Sequence, residues 1–346
     1  MKRTNEKASG HLSVIVIIFL IIAIGAGLLF ISGCTGEELK KFNLGYKVYI
    51  PNLSGKSITV IPEKESDEPF FIDMSVNPVF IKHLPGSDYI YILLDGTNDI
   101  AILDTKEDVI TDKFRFEVGV TSSTNNRIKF NSDGTRGYVT TSYQASGVAV
   151  LDTSDNSFVD GINVNSTTVD RMFFSSSENR LFATDPDKKK IYSLDTNSNE
   201  LVEEIDVPES YSIAYFDKNN SQFFMAETGP KATVKLFDMT DNTFVKRAEN
   251  VVDDVKRLMP SSDGTKLYVL GSSEMAIITL SDFTVDEVIS LDYRDPVDFR
   301  FLPDKSFILI PSGAANLTMI MNPGDYSTEE TIETESDPGE MVIISD

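Results

Sequence analysis

The sequence predicts an all-β chain built from one unit repeated seven times, each unit the size of a four-stranded propeller blade. Three observations carry this. From Tyr46 onward there is no helical period, only short apolar runs between clusters of Asp, Asn, Gly and Ser. One run recurs: SITVIPE (Ser57–Glu63), DIAILDT (Asp99–Thr105), GVAVLDT (Gly147–Thr153), KIYSLDT (Lys190–Thr196), TVKLFDM (Thr233–Met239), AIITLSD (Ala276–Asp282) and, less clearly, NLTMIMN (Asn316–Asn322). Its anchors Ile61, Leu103, Leu151, Leu194, Phe237, Leu280 and Ile320 step by 42, 48, 43, 43, 43 and 40 residues, a blade-sized period.

The elements follow in order. Lys2, Arg3 and Lys7 precede an uncharged run of 21 residues, Leu12 to Ser32, long enough to cross a hydrocarbon core of about 30 Å as a helix. The positive flank predicts a cytoplasmic N-terminus and an exported remainder. Ile31-Ser32-Gly33-Cys34 closes the run and resembles the lipobox of bacterial-type lipoproteins, which implies a lipidated Cys34. The run exceeds the 7–15 apolar residues of an ordinary signal peptide, so a retained helix is the alternative anchor. Residues 1–34 therefore read as signal peptide or anchor, 35–45 (TGEELKKFNLG) as a short charged tether, and 46–346 as the repeat domain.

Within a repeat, a strand such as Tyr138-Val139-Thr140-Thr141 or Leu267-Tyr268-Val269-Leu270 leads through a Gly-, Asn- or Ser-rich turn to the recurring strand. An Asp-Thr turn follows, as at Asp104-Thr105, Asp152-Thr153 and Asp195-Thr196, where the carboxylate is placed to accept backbone N–H groups two residues on. A further strand comes next, for example Leu201–Ile205. The last one ends at a tight turn: Arg127–Phe130 before Asp133-Gly134, and Arg257–Met259 before Asp263-Gly264, where Gly supplies the positive φ the hairpin needs.

Tyr138-Val139-Thr140-Thr141 together with Val148–Thr153 resembles the YVTN-type β-propeller repeat of exported bacterial and archaeal proteins, with looser matches from Tyr46 to Asp346. The seventh repeat departs most, lacking the Asp-Thr turn. The resemblance implies seven blades around a channel, with the strand before the Asp-Gly turn innermost and the YVTN strand second. The chain ends on an innermost strand (Glu340–Asp346) and begins the domain on a second strand (Tyr46–Ile50), so the two should complete one blade and remove the open edge.

Composition narrows the chemistry. With 54 Asp plus Glu against 31 Lys plus Arg the net charge is −23, which repels nucleic-acid phosphates. One Cys cannot form an internal disulfide or a Cys cluster, two His (His11 and His83) leave little material for an imidazole metal site or Ser-His-Asp chemistry, and His83 has no evident partner for catalysis. The absence of Trp counts against quinone-cofactor propellers, and no cofactor or metal is expected. The acidic turns lack the glycine and terminal glutamate of a calcium loop and read as solvated turns.

One pattern is suggestive. Aligning the innermost strands on their last large apolar residue (Leu84, Phe130, Phe174, Phe216, Met259, Leu302, Ile344) puts Lys82, Arg257 and Arg300 at one position, with Arg127, Lys129 and Arg171 close by. These cations either pair with acids such as Asp170, Asp254 and Asp298, or form an anion- or partner-binding site at a channel mouth. The expected role is non-catalytic binding or scaffolding by a membrane-tethered propeller outside the cytoplasm, whose partner is an unidentified protein or anionic ligand. The alternative is a channel-centred hydrolase of lactonase type.

Overall fold

Each recurring run is the third strand of a blade, and its apolar residues are continuous because both of its faces are covered. The structure, a computed structural model, describes residues 44–64, 67–116, 127–141, 147–218 and 221–344. These form seven four-stranded antiparallel sheets, six of them running in chain order from innermost to outer strand and the other, blade 1, taking its innermost strand from the end of the chain. The apolar segment, Cys34 and the tether as far as residue 43 lie outside the described residues.

Blade 2 illustrates the unit: Pro78–His83 innermost, Tyr89–Leu94 second, Asp99–Asp104 third and Val109–Arg115 outer. Successive side chains of a strand point to opposite faces. In Tyr89–Leu94, accordingly, Ile90, Ile92 and Leu94 join a buried cluster shared with blade 1, while Tyr91 and Leu93 join one shared with blade 3. The core is thus a series of wedges between neighbouring sheets. Only the outer strands, such as Val109–Arg115, are largely exposed.

The expected closure is observed. Val342–Ile344 pairs antiparallel with Lys47–Asn52, matching Ile344 to Lys47 and Val342 to Tyr49, so the two ends of the domain share blade 1. No unpaired innermost edge is left there.

The turns behave as their chemistry predicts. Oδ1 of Asp104 accepts from the N–H groups of Lys106 and Glu107, that of Asp152 from Ser154, and that of Asp195 from Asn197 and Ser198. In blade 7, Oδ1 of Asn322 takes the same part by accepting from the Gly324 N–H, which explains how the divergent repeat keeps its turn. The Thr of Asp-Thr reaches back instead: Thr105 donates to the Asp88 carbonyl, Thr153 to that of Gly134 and Thr196 to that of Glu178. At Asp133-Gly134, Gly134 has φ +72°, and a Cβ there would lie 2.6 Å from the carbonyl oxygen of Pro85 in the preceding blade.

Tyrosines of the second strands fasten one blade to the next. Tyr49 donates to Asp108 Oδ1 at 2.5 Å, Tyr91 to Asn156 Oδ1 at 2.6 Å, and Tyr138 to the Thr196 carbonyl at 3.4 Å. Each bond crosses from the apolar wedge to the outer turn of the following blade. Asn52, which begins the glycosylation-type sequon Asn52-Leu53-Ser54, is fully buried and donates to Ser57 and Thr59, so its amide is not presented to solvent.

Candidate functional site

The bond that closes each inner hairpin sets a common ruler for the channel wall. In this way Leu84 bonds Tyr89, Asn131 bonds Arg136, Ser175 bonds Arg180, Ser261 bonds Lys266 and Leu302 bonds Phe307. Asp217 pairs with Gln222, and Ile344 with Lys47, at the same place. Counting back two residues from each gives Lys82, Lys129, Phe173, Tyr215, Met259, Arg300 and Val342. Counting back four gives Phe80, Arg127, Arg171, Ile213, Arg257, Asp298 and Glu340.

The wall is therefore two rings, one pleat apart, and the alignment on the last apolar residue needs correction. Lys82 and Arg300 do share a ring, but Arg257 stands in the other, with Arg127 and Arg171. In blade 6 the hairpin closes on Ser261, two residues beyond Met259, so an apolar landmark misplaces Arg257 by one pleat. All three nevertheless line one cavity of about 190 Å³, together with Arg127, Lys129 and Arg171.

The ring holding Arg257 is a closed ionic cluster around a single carboxylate. Glu340 Oε1 lies 3.1 Å from Arg171 Nη2 and 3.3 Å from Arg127 Nη2, while its Oε2 accepts from Arg257 Nη1 at 2.7 Å and lies 3.9 Å from Arg300. Beside it, Asp298 takes Arg257 Nε at 2.8 Å, Arg300 Nε at 3.0 Å and the Met341 N–H at 3.2 Å. Asp298 has no exposed surface, and the Arg257 side chain only 10%. Burial alone would favour the neutral carboxyl of Glu340, but Arg257, Arg171, Arg127 and Arg300 outweigh it and hold the group well below the ordinary glutamate range. Burial likewise opposes the charge of Arg257, and Asp298 and Glu340 overcome it, raising that guanidinium's pKa. Arg127 also lies over the Phe80 ring at 5.0 Å.

The other ring is differently satisfied. Lys82 and Lys129 make no ion pair or hydrogen bond among the described residues. Burial, then the charges of Lys129 and Arg300, push the Lys82 ammonium down to about 7, with Glu340 pulling the other way. Burial and Arg300 lower Lys129 as well. Tyr215 faces the same space, and its hydroxyl has no hydrogen-bond partner among the described residues; burial raises its pKa.

Of the acids anticipated as partners, Asp298 pairs with Arg257 and Arg300, and Asp170 lies 3.6 Å from Arg171. Asp254 forms no ion pair with any of them among the described residues. Glu340, Phe173 and Tyr215 were not singled out by the sequence; the signal for Glu340 was its register, four residues before the close of the terminal hairpin. His83 lies off the cavity, its Nε2 donating to the Ser87 carbonyl at 2.7 Å, so that nitrogen is unavailable as base or ligand. Among the described residues no group of three or more His, Cys, Asp or Glu is placed to hold a metal ion.

No family model matches the chain, and no curated protein is recognisably similar in sequence. Many solved structures share its fold. A functionally unknown protein from Desulfotomaculum acetoxidans superposes with a TM-score of 0.69 at 12% identity, covering 86% of this chain and 98% of its own. The periplasmic gluconolactonase PpgL of Pseudomonas aeruginosa gives 0.66 at 14%, covering 86% and 99%. A putative 6-phosphogluconolactonase of Bacteroides fragilis gives 0.64 at 14%, covering 87% and 98%. At such identities the likeness is one of architecture: this chain carries a seven-bladed β-propeller, a scaffold on which function resides in the site and not in the fold.

Proposed function

We propose that the chain is a YVTN-type envelope propeller that works as a binding protein, held to the membrane through Cys34 or the apolar segment and offering its central channel to a small anionic ligand. The observation that carries this is the local reversal of sign. A molecule of net charge −23 lines its channel with Lys82, Arg127, Lys129, Arg171, Arg257 and Arg300, against Glu340 and Asp298. Charges in a narrow channel are screened less than on open surface, where the Debye length is about 8 Å at physiological salt. Lys82 and Lys129, whose ammonium groups make no ion pair among the described residues, are the part of this wall open to an incoming anion.

The test is calorimetric titration of the full chain in detergent with acetate, phosphate and benzoate, at low and high salt. Saturable binding that weakens as salt rises supports the reading; heats indistinguishable from dilution for every anion would defeat it. Tethering is tested separately by fatty-acid labelling in cells. Cys34→Ala should abolish the label, and a mature protein that retains Met1 without label points to the helix anchor.

A second reading, hydrolysis of a lactone in the channel, draws on the lactonase names among the similar structures and on an amine at Lys82 held near neutrality, where it can act as a base. Turnover of gluconolactone that Lys82→Met removes would favour it over simple binding.

A further inference from the structure

The ring of Lys82 and Lys129 is two-faced. Going round the blades, the three cations fall on one arc: Arg300 in blade 7, Lys82 in blade 2 and Lys129 in blade 3, with Val342 between the first two in blade 1. Blades 4 to 6 present no charge at this level. They place Phe173, Tyr215 and Met259 there, and Phe173 and Tyr215 face the cavity from their innermost strands Met172–Phe174 and Ile213–Asp217. The two rings meet edge-on, with centroids 5.9 Å apart and planes at 61°, so they form a continuous aromatic wall. Ile213, one pleat away, extends it.

We propose that this ring binds a small aromatic carboxylate, its carboxylate between Lys82 and Lys129 and its ring against Phe173 and Tyr215. The inference rests on the channel-binding reading above and sharpens it. Size agrees: the cavity is about 190 Å³, and a cavity of about 150 Å³ accommodates benzene. Chemistry agrees too. A bare inorganic anion would leave the aromatic wall facing water. A sugar acid would press hydroxyl groups against Phe173 and Ile213, where they find no partner. A long acyl chain would reach past the aromatic wall into the polar rim beside Asn131, Ser132 and Ser261. The unpartnered Tyr215 hydroxyl offers a hydrogen bond to a polar substituent on the ligand's ring.

The direction of approach follows from the other ring. Glu340 and Asp298 already offset much of the charge of Arg127, Arg171 and Arg257, so a ligand carboxylate that passed Lys82 would meet two fixed carboxylates. Lys129, Phe173 and Tyr215 instead also line the opening at the hairpin-turn rim, beside Pro85, Ser132 and Ser261, and the ligand enters from that side.

The experiment compares benzoate, acetate and benzyl alcohol by calorimetry on the full chain in detergent at low salt. Benzoate is expected to bind at one site at least about ten-fold more tightly than acetate, the least that burying one ring's apolar surface should bring, and at least about ten-fold more tightly than benzyl alcohol, which lacks the charge. Tyr215→Ala should bring benzoate toward the affinity of acetate while leaving acetate unchanged, and Lys129→Met should weaken both acids. If acetate matches benzoate, the anion channel stands and the aromatic assignment falls. If benzyl alcohol matches benzoate, the carboxylate is not what the lysines hold, and the assignment falls equally. Binding of neither acid overturns this proposal, and the channel reading falls with it only if phosphate also fails to bind. The ratios in the unaltered chain decide by themselves, so a variant that did not fold would leave the test intact.

Discussion

Arg257 Nη1 donates to Glu340 Oε2 at 2.7 Å, joining blade 6 to the segment that leads into the closing strand of blade 1, 83 residues further along the chain. Because Glu340 also contacts Arg127 and Arg171, in blades 3 and 4, one carboxylate ties four blades across the channel. Ring closure and channel electrostatics thus depend on the same residue.

Replacing Glu340 with Gln keeps its size but leaves three buried guanidinium groups facing a neutral amide. Removing one partner of a buried ion pair costs about 3–5 kcal/mol, since the remaining charges stay desolvated. Chemical denaturation should show a loss of that order. A change below 1 kcal/mol would mean that water or Asp298 already satisfies the arginines.

Deleting residues 340–346 removes the innermost strand of blade 1 together with this carboxylate. The edge of Lys47–Asn52 is then open, and the wedge around Tyr49 and Val342 loses its cover. The truncated protein should aggregate or unfold without a single cooperative transition. A sharp transition at the original temperature would contradict closure as a source of stability.

Lys82 gives the channel a pH dependence whose sign can be worked out. It is faced by Lys129 from blade 3, Arg257 from blade 6, Arg300 from blade 7 and Glu340 from blade 1, and burial with the three cations sets its pKa near 7. Below that pH the ammonium is charged and attracts an anion; above it the amine is neutral. Benzoate affinity should therefore fall as pH rises from 6 to 8, and the Lys82→Met chain should show no such fall. Without ligand the sign reverses. The unfolded chain holds this proton up to the ordinary lysine range, so stability from this group rises with pH between about 7 and 10.5. Denaturation series at pH 6, 7.5 and 9 check both.

What is local and repeated in this protein was legible in its residues. The blade period follows from short strands buried on both faces, the Asp and Asn turns from side chains that bond backbone two residues away, and closure from an odd strand at each end of the domain. The strand and turn signals lie close to where they act and seven copies reinforce them, while closure, which pairs Lys47 with Ile344, follows from counting strands. Which cations keep a partner depends on the closed ring. Glu340 meets Arg127, Arg171 and Arg257 because the ring brings distant blades to one axis, and no short-range pattern encodes that meeting. Arg257 was aligned one pleat off because the innermost strand of blade 6 continues through Pro260 to a hairpin closed on the polar Ser261, so an apolar landmark could not fix its register. The aromatic face opposite the lysines was hidden for the same reason. Nothing in the sequence separates Phe173 and Tyr215 from the other aromatic residues of the blades; it is the ring that turns them toward the channel.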